Sequence, residues 1–369
     1  MDLNKKKFIF LSVFYFFYFA CIGVFIIFLP KLLYELNWQT YNIGLIFAVV
    51  ALMRFLSPFL FVKNITLNQQ KLMYSLFSTT ILSGLLLLTI DSFVLFLINN
   101  IFLGFTMSLI LPYMENLAVK SLGKNNYGRS RMFGSIGFLL VAMFLPHFLS
   151  DINLVLHFFF YFVLFMSIFA YISLYHENFQ KKPDETPSDK FSLLKHKYFW
   201  ISLFLMQVSF GGFYNFFTIY ESSYGIKLDI IGYLWAFGVL CEIIMLYFQG
   251  STLKNNLLYL IELSIFATVI RWLILFLFPE NLSLVFLSQA FHAFSFGLYH
   301  SSVVIYLYNL YQNKKLAQQF LFGIGYGLGG FVGAIGAGLV YGEYLFLYCA
   351  IVAIASLIFI WYYKSKELL

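Results

Sequence analysis

Residues 5–29 read KKKFIFLSVFYFFYFACIGVFIIFL: three lysines, then the uncharged run Phe8–Leu29. About 20 apolar residues wound as a helix cross the ~30 Å hydrocarbon layer of a bilayer. A basic start followed by an apolar stretch imitates a secretory signal, but a signal's apolar region has only about 7–15 residues. Phe19-Ala20-Cys21 is a poor lipoprotein lookalike, because the run continues straight past the cysteine. Phe8–Leu29 therefore reads as a first spanning helix.

The remainder of the chain repeats this pattern. Twelve runs are long and apolar enough to span, roughly 8–29, 41–62, 72–90, 93–118, 128–149, 154–176, 197–220, 230–249, 257–278, 282–311, 318–341 and 344–363. Hydrocarbon offers the backbone no hydrogen-bond partners, so such runs must be helices rather than open strands. Composition agrees. Hydrophobic residues make up 62% of the 369 and charged residues 11%, with a mean hydropathy of +0.85. A soluble domain carries about a quarter of its residues as charges. The 49 Phe and 27 Tyr suit a lipid-facing surface with aromatic girdles. The expectation is an all-α membrane protein of twelve transmembrane helices.

Assigning the connections alternately to two sides tests that count. Nineteen of the 23 Lys and Arg fall on one side, only Lys31 and Lys227 on the other, and Arg54 and Arg271 inside spans. A wrong number of helices would scramble this split. By the positive-inside rule the basic side is cytoplasmic, with both termini there. The formal net charge of +7 is thus explained by topology, and the basic residues, scattered in ones to threes, form no nucleic-acid surface. Cys21, Cys241 and Cys349 stand singly within apolar runs and read as small buried residues.

The longest polar stretch, Glu177 to Lys197, contains Lys181-Lys182-Pro183-Asp184-Glu185-Thr186-Pro187 and divides the helices six and six. It sets the boundaries: an N-terminal bundle at 1–176, a cytoplasmic linker at 177–196 and a C-terminal bundle at 197–369. The halves also echo one another at an offset of about 188 residues: Gly23 with Gly211, Ile43-Gly44 with Ile231-Gly232, Phe133-Gly134 with Phe322-Gly323, and Arg54 with Glu242. Two parallel six-helix repeats are the organisation of the major facilitator fold.

An ionised side chain at mid-bilayer costs about 2.5–3.5 kcal/mol on insertion scales, so each one needs a reason. Arg54, Glu242, Arg271 and His292 fall near the middle of spans, Glu115 and Arg131 about one turn inside, and Glu262 is shallow. Acids and bases nearly balance, as pairing around a wet cavity requires; interhelical salt bridges would satisfy the same count. The tenth run carries Gln289, His292, Ser295, Tyr299, Ser302 and Tyr306 on one side, with His300 near the same face. The seventh carries the stripe Gln207, Gly211, Tyr214, Asn215 and Thr218. Two histidines on a polar stripe suit a cavity lining, and imidazole titrates near neutral pH, which suits proton coupling. No cysteine or carboxylate stands at ligand spacing beside them, so no metal is expected. In the eleventh run, Gly325-Tyr326-Gly327-Leu328-Gly329-Gly330 matches a dinucleotide glycine pattern on paper. It lacks the strand and the downstream acid, and small residues at such spacing serve close helix approach instead.

Two segments carry a family resemblance. Pro112-Tyr113-Met114-Glu115, followed by Tyr127-Gly128-Arg129-Ser130-Arg131-Met132-Phe133-Gly134-Ser135-Ile136-Gly137-Phe138, resembles the helix four–five region of the oligosaccharide/proton symporters, the lactose permease family. It resembles more closely the phenylpropionate-permease-like branch of the major facilitator superfamily. Gln289-Ala290-Phe291-His292-Ala293-Phe294-Ser295-Phe296-Gly297, with His300, is similar to that branch's helix-ten motif. The resemblance implies a secondary transporter with Glu115 and Arg131 as a substrate-binding pair. It implies that Glu242, Arg271 and His292 join substrate binding to proton movement. Two departures stand out. Ser295 occupies the position where the permease has a carboxylate, and Val62–Lys71 lacks the family's Gly…Asp-Arg…Gly signature.

The resulting expectation is uptake of a small organic solute, such as an aromatic or other carboxylate, a sugar or a nucleoside, in symport with protons. Export or uncoupled facilitation on the same fold is the alternative. Substrate contacts are expected from Glu115, Arg131, Arg271, Gln289, His292 and Asn215, proton coupling from Glu242, His292 and His300, with Arg54 a further intramembrane charge. The proton is the coupling ion and no cofactor is expected. A membrane-embedded enzyme would need a nucleophile–base set or a metal cluster, and the sequence carries neither. Partners are solute, protons and lipid, without nucleic acid, for a monomer in a bacterial cell (inner) membrane.

Overall fold

The computed structural model describes residues 3–62, 68–149, 151–175, 192–249, 252–254 and 256–367. Among these, eleven continuous helices are long and apolar enough to cross a membrane. They are α1 Lys5–Glu35, α2 Thr40–Ser57, α3 Gln69–Thr89, α4 Phe93–Leu122, α5 Asn126–Phe148 and α6 Leu154–Leu174 in the first half. In the second they are α8 Leu228–Phe248, α9 Leu257–Leu277, α10 Leu282–Leu310, α11 Leu316–Val340 and α12 Leu345–Lys366. The twelfth, α7, is broken at Phe210 into Lys197–Ser209 and Gly211–Ser223, so the single unbroken span expected there is corrected. The Phe210 amide reaches back only to Gln207, and the Gly211-Gly212 pair beyond it lacks side chains to hold a straight helix. Most of the linker 177–196, and residues 63–67 of the 62–71 connection, lie outside the described residues.

Local chemistry sets several helix starts. Asn68, Asn256, Asn281 and Asn313 each accept a hydrogen bond from the amide three residues on, capping α3, α9, α10 and α11. Pro30 lacks an amide hydrogen and crowds the carbonyl four residues back. The α1 coil widens there into a π-helical turn at Val24–Phe28. Further π-helical turns sit at Ala293–Leu298 in α10 and Leu321–Gly329 in α11.

Between α4 and α5 the backbone stays helical over the 56 residues Phe93–Phe148. A straight helix of that length would measure about 84 Å, far beyond a bilayer. The chain instead doubles back. Arg131 Nε lies 3.3 Å from Glu115 Oε1, whereas 16 residues of straight helix would separate them by about 24 Å. The reversal falls between the two spans, which end at Leu122 and resume at Asn126.

Within the first half α1 packs on α5 and α6, and α3 on α4 and α6; within the second, α12 packs on α7 and α9, and α10 on α8 and α9. The halves meet where α1 touches α7, α2 touches α11 and α5 touches α8. Two of these seams correspond across the repeat. A Cβ on Gly44 of α2 would overlap the Ala334 carbonyl of α11, and one on Gly232 of α8 would overlap the Ala142 carbonyl of α5. Only glycine allows the backbones that close.

The repeat also appears in the turns after α1 and α7. Asn37 (φ 59°) and Gly225 (φ 82°), 188 positions apart, both adopt left-handed backbone. The flanking bonds match: Asn37 N donates to Tyr34 O and Trp38 N to Leu33 O, while Gly225 N donates to Ser222 O and Ile226 N to Glu221 O. This is one helix-terminating motif used twice. These turns lie on the face opposite the basic side. There the seams are tight: Thr40 Oγ1 donates to Gly338 O at 3.1 Å, the Tyr34 and Tyr341 rings stand 6.0 Å apart, and His147 Nε2 meets Tyr233 Oη at 3.2 Å. That far face is closed.

Candidate functional site

One polar cluster forms in each half. In the second half α9 supplies Arg271, which is fully buried. Its Nη1 bonds His292 Nδ1 at 2.8 Å and Ser295 Oγ at 3.1 Å, and its Nη2 bonds Gln289 Oε1 at 2.9 Å. All three acceptors come from α10, spaced three residues apart. The π-helical turn that starts at Ala293 brings Ser295 under the same guanidinium nitrogen as His292. Phe213 lies 4.1 Å from the guanidinium carbon to its ring centre, and Trp272 lies 4.7 Å away. Every acceptor of this buried cation is neutral.

The charge relation runs on through the imidazole. His292 Nε2 stands 3.5 Å from Glu242 Oε2 of α8. An arginine can only donate, so Nδ1 must accept and the ring hydrogen sits on Nε2, pointing at the Glu242 carboxylate. His292 also stacks on Phe296, and Phe296 on His300, with interplanar angles of 3° and 10°. The three rings form a ladder along α10 that ends where His300 Nδ1 bonds Tyr326 Oη at 2.7 Å.

In the first half Glu115 of α4 pairs with Arg131 of α5, and both keep about a third of their side-chain surface accessible. Phe19 lies 3.9 Å beneath the Arg131 guanidinium and Tyr15 at 5.6 Å, so the cation rests on aromatic faces of α1. Tyr127 stands near Glu115. Arg54 of α2 is exposed, and its charge acts on Tyr18. The charge of Arg131 also acts on His300 of the other half.

The structure therefore brings together Arg271, Gln289, His292 and Glu242 in one cluster and Glu115 with Arg131 in another. His300 joins the first cluster through a ring stack rather than a bond. Asn215 does not join it: its amide donates to Gly211 O at 2.8 Å, one turn back on its own helix. Glu262 pairs with Lys364 at 2.6 Å, away from both clusters. Among the described residues no three His, Cys, Asp or Glu side chains converge as a metal site would require. Sequence reading missed Phe19, Phe213 and Tyr326, since among 49 Phe and 27 Tyr nothing distinguishes the few that face a cation.

A transporter of Bacillus subtilis (strain 168), YwbF, described as uncharacterized, is 24% identical over 237 residues, which is 62% of this chain and 59% of that protein. The match thus spans somewhat more than half of that relative's length. The nucleoside transporter NupG, in a point-mutant form, superposes with a TM-score of 0.82 at 14% identity, covering 97% of this chain and 99% of that one. An auto-inhibited POT family peptide transporter gives a TM-score of 0.77 at 11% identity, covering 99% and 97%. At such identities the likeness concerns the fold alone. Over residues 8–350 the sequence matches the MFS_1 like family, and the chain belongs to that family of major facilitator transporters.

Proposed function

We propose that the chain is a proton-coupled symporter of the phenylpropionate-permease-like branch. It takes up a small organic solute, an aromatic or other carboxylate, a sugar or a nucleoside, by alternating access of its halves 1–176 and 197–369. The observation that carries this reading is the chain of contacts from Arg271 through His292 to Glu242. While Arg271 donates to Nδ1, that nitrogen cannot take a proton. A solute carboxylate or hydroxyl that draws the guanidinium away frees Nδ1 to accept one, and Glu242 then faces an imidazolium. Solute binding and proton binding thereby favour each other. Ser295, standing where the permease has a carboxylate, leaves Glu242 and His292 as the groups able to carry the proton. The Glu115–Arg131 pair would hold the solute's polar groups from the other half, with Phe19 and Tyr15 flanking it. That named neighbours handle nucleosides and peptides supports small polar solutes as the class. On the charge split, the basic face is the cytoplasmic face of a bacterial cell membrane.

The test is uptake of labelled candidate solutes into membrane vesicles with and without a protonophore. Accumulation should collapse with the protonophore. Glu242→Gln and His292→Gln should each abolish accumulation against a gradient, at least tenfold, while solute exchange at equilibrium persists. Full accumulation in both variants would remove the proposed route, and indifference to the protonophore would indicate an uncoupled facilitator.

A further inference from the structure

A third ionisable group lies outside both clusters. Glu221 is fully buried, and neither of its carboxyl oxygens has a hydrogen-bond partner. It stands in the last turn of Gly211–Ser223, at the far-face end of α7. Its position extends the polar stripe Gln207, Gly211, Tyr214, Thr218 by one more turn, at the same alternating three- and four-residue spacing.

The internal repeat shows that the fold does not need an acid here. Glu221 and Leu33 are equivalent, since each offers the backbone carbonyl that closes its terminating turn. Leu33 is a fully buried hydrocarbon side chain. The second half has placed a carboxyl in a leucine's site. The surrounding segments supply it with no compensating charge. On α1, Lys31 is paired with Glu35 at 3.1 Å. On α8, Asp229 caps the Ile230 amide. Lys227 precedes α8, and Glu343 precedes α12. Among titratable rings, Tyr220 and Tyr224 share its helix and Tyr341 follows α11; none bonds it. Burial, in the last turn of the helix, is what the carboxyl meets.

An ionised carboxylate in a dry site without a partner is strongly disfavoured, so in this far-face-closed state the group holds its proton. The segment that carries it packs against α1 and α2 across the seam between the halves. Opening that seam admits water, and a hydrated carboxyl releases its proton to the aqueous phase at neutral pH. We propose that Glu221 is a second proton-binding site, outside both clusters, whose occupancy is linked to closure of the far face. One proton is taken from far-face water as the seam closes and returned to it as the seam opens. The linkage needs no solute and stands whether or not uptake is proton-coupled.

The sign follows from linkage. The closed state binds the proton more tightly, so low pH favours closure and rising pH favours opening, by up to about tenfold per pH unit for one linked proton. The test uses full-length protein in lipid vesicles without solute, with its native cysteines replaced. Spin labels on Leu36→Cys and Tyr344→Cys, both exposed on the far face of opposite halves, report the separation from pH 5.5 to 8.5. The longer separation should gain population as pH rises. In Glu221→Gln and in Glu221→Leu, the residue of the first repeat, the short separation should dominate at every pH, while Glu262→Gln, away from both clusters, should keep the response. An infrared band of a protonated carboxyl at neutral pH, lost in Glu221→Gln, is the second expected result. A pH-independent distance in the unsubstituted chain, a response unchanged by both Glu221 variants, or absence of that band would each overturn the proposal.

Discussion

Arg271 is a cation with no surface and no carboxylate in contact. Inserting such a group costs about 2.5–3.5 kcal/mol, and a hydrogen bond to a charged group returns roughly 1.5–3 kcal/mol each. Three such bonds and the Phe213 face therefore hold it without a counter-ion, and Ser295 fills an acceptor position that a carboxylate could also fill. The Glu115–Arg131 pair differs because its partners keep about a third of their side-chain surface accessible. A simple bridge tolerates exchange of its two charges, whereas a solute contact depends on the forked guanidinium in a fixed place. Arg131→Lys should lower uptake at least tenfold. The exchange Glu115→Arg with Arg131→Glu should insert normally and stay inactive. Near-normal uptake by the exchanged protein would make the pair structural only. The charged members of both clusters were legible, since a charge within an apolar run announces itself. Glu221 was not, because at residue 221, beside a turn, an acid reads as an interfacial group facing water.

At the scale of elements, the start of α3 and the reversal between α4 and α5 follow from asparagine caps and a polar stretch. The break in α7 does not, because a Gly-Gly pair inside an apolar run fits a straight helix, a bend or a crossing equally well. The glycine seams are the more testable feature. Adding a methyl at Gly44 or Gly232 forces apart two backbones, an overpacking worth about 1–3 kcal/mol against closure, or roughly 5- to 150-fold in the closed-to-open ratio. Gly44→Ala and Gly232→Ala should each speed labelling of a cysteine at Tyr341 by a membrane-impermeant thiol reagent. The two sites share no contact, so the double variant should combine both effects. Gly128→Ala, where an added methyl meets nothing within 4 Å, should leave the rate unchanged. Equal rates in all variants would mean that the seams do not limit opening.

For the molecule as a whole, the positive-inside rule applied to the nineteen-to-two distribution of Lys and Arg predicts both termini on the cytoplasmic side. A fluorescent protein fused after Leu369 should fluoresce inside the cell, and an alkaline phosphatase fused there should be silent; active phosphatase would invert the orientation. The described ion pairs, Lys31–Glu35, Glu115–Arg131, His292–Glu242 and Lys364–Glu262, each lie within one half. Across the closed far face the halves touch through backbone carbonyls, tyrosine rings, a threonine hydroxyl and an imidazole–phenol bond. Counter-ions find little to screen in such a junction. Its grip depends on shape rather than on charge, so salt that loosens a bridged gate leaves this door as firmly shut as before.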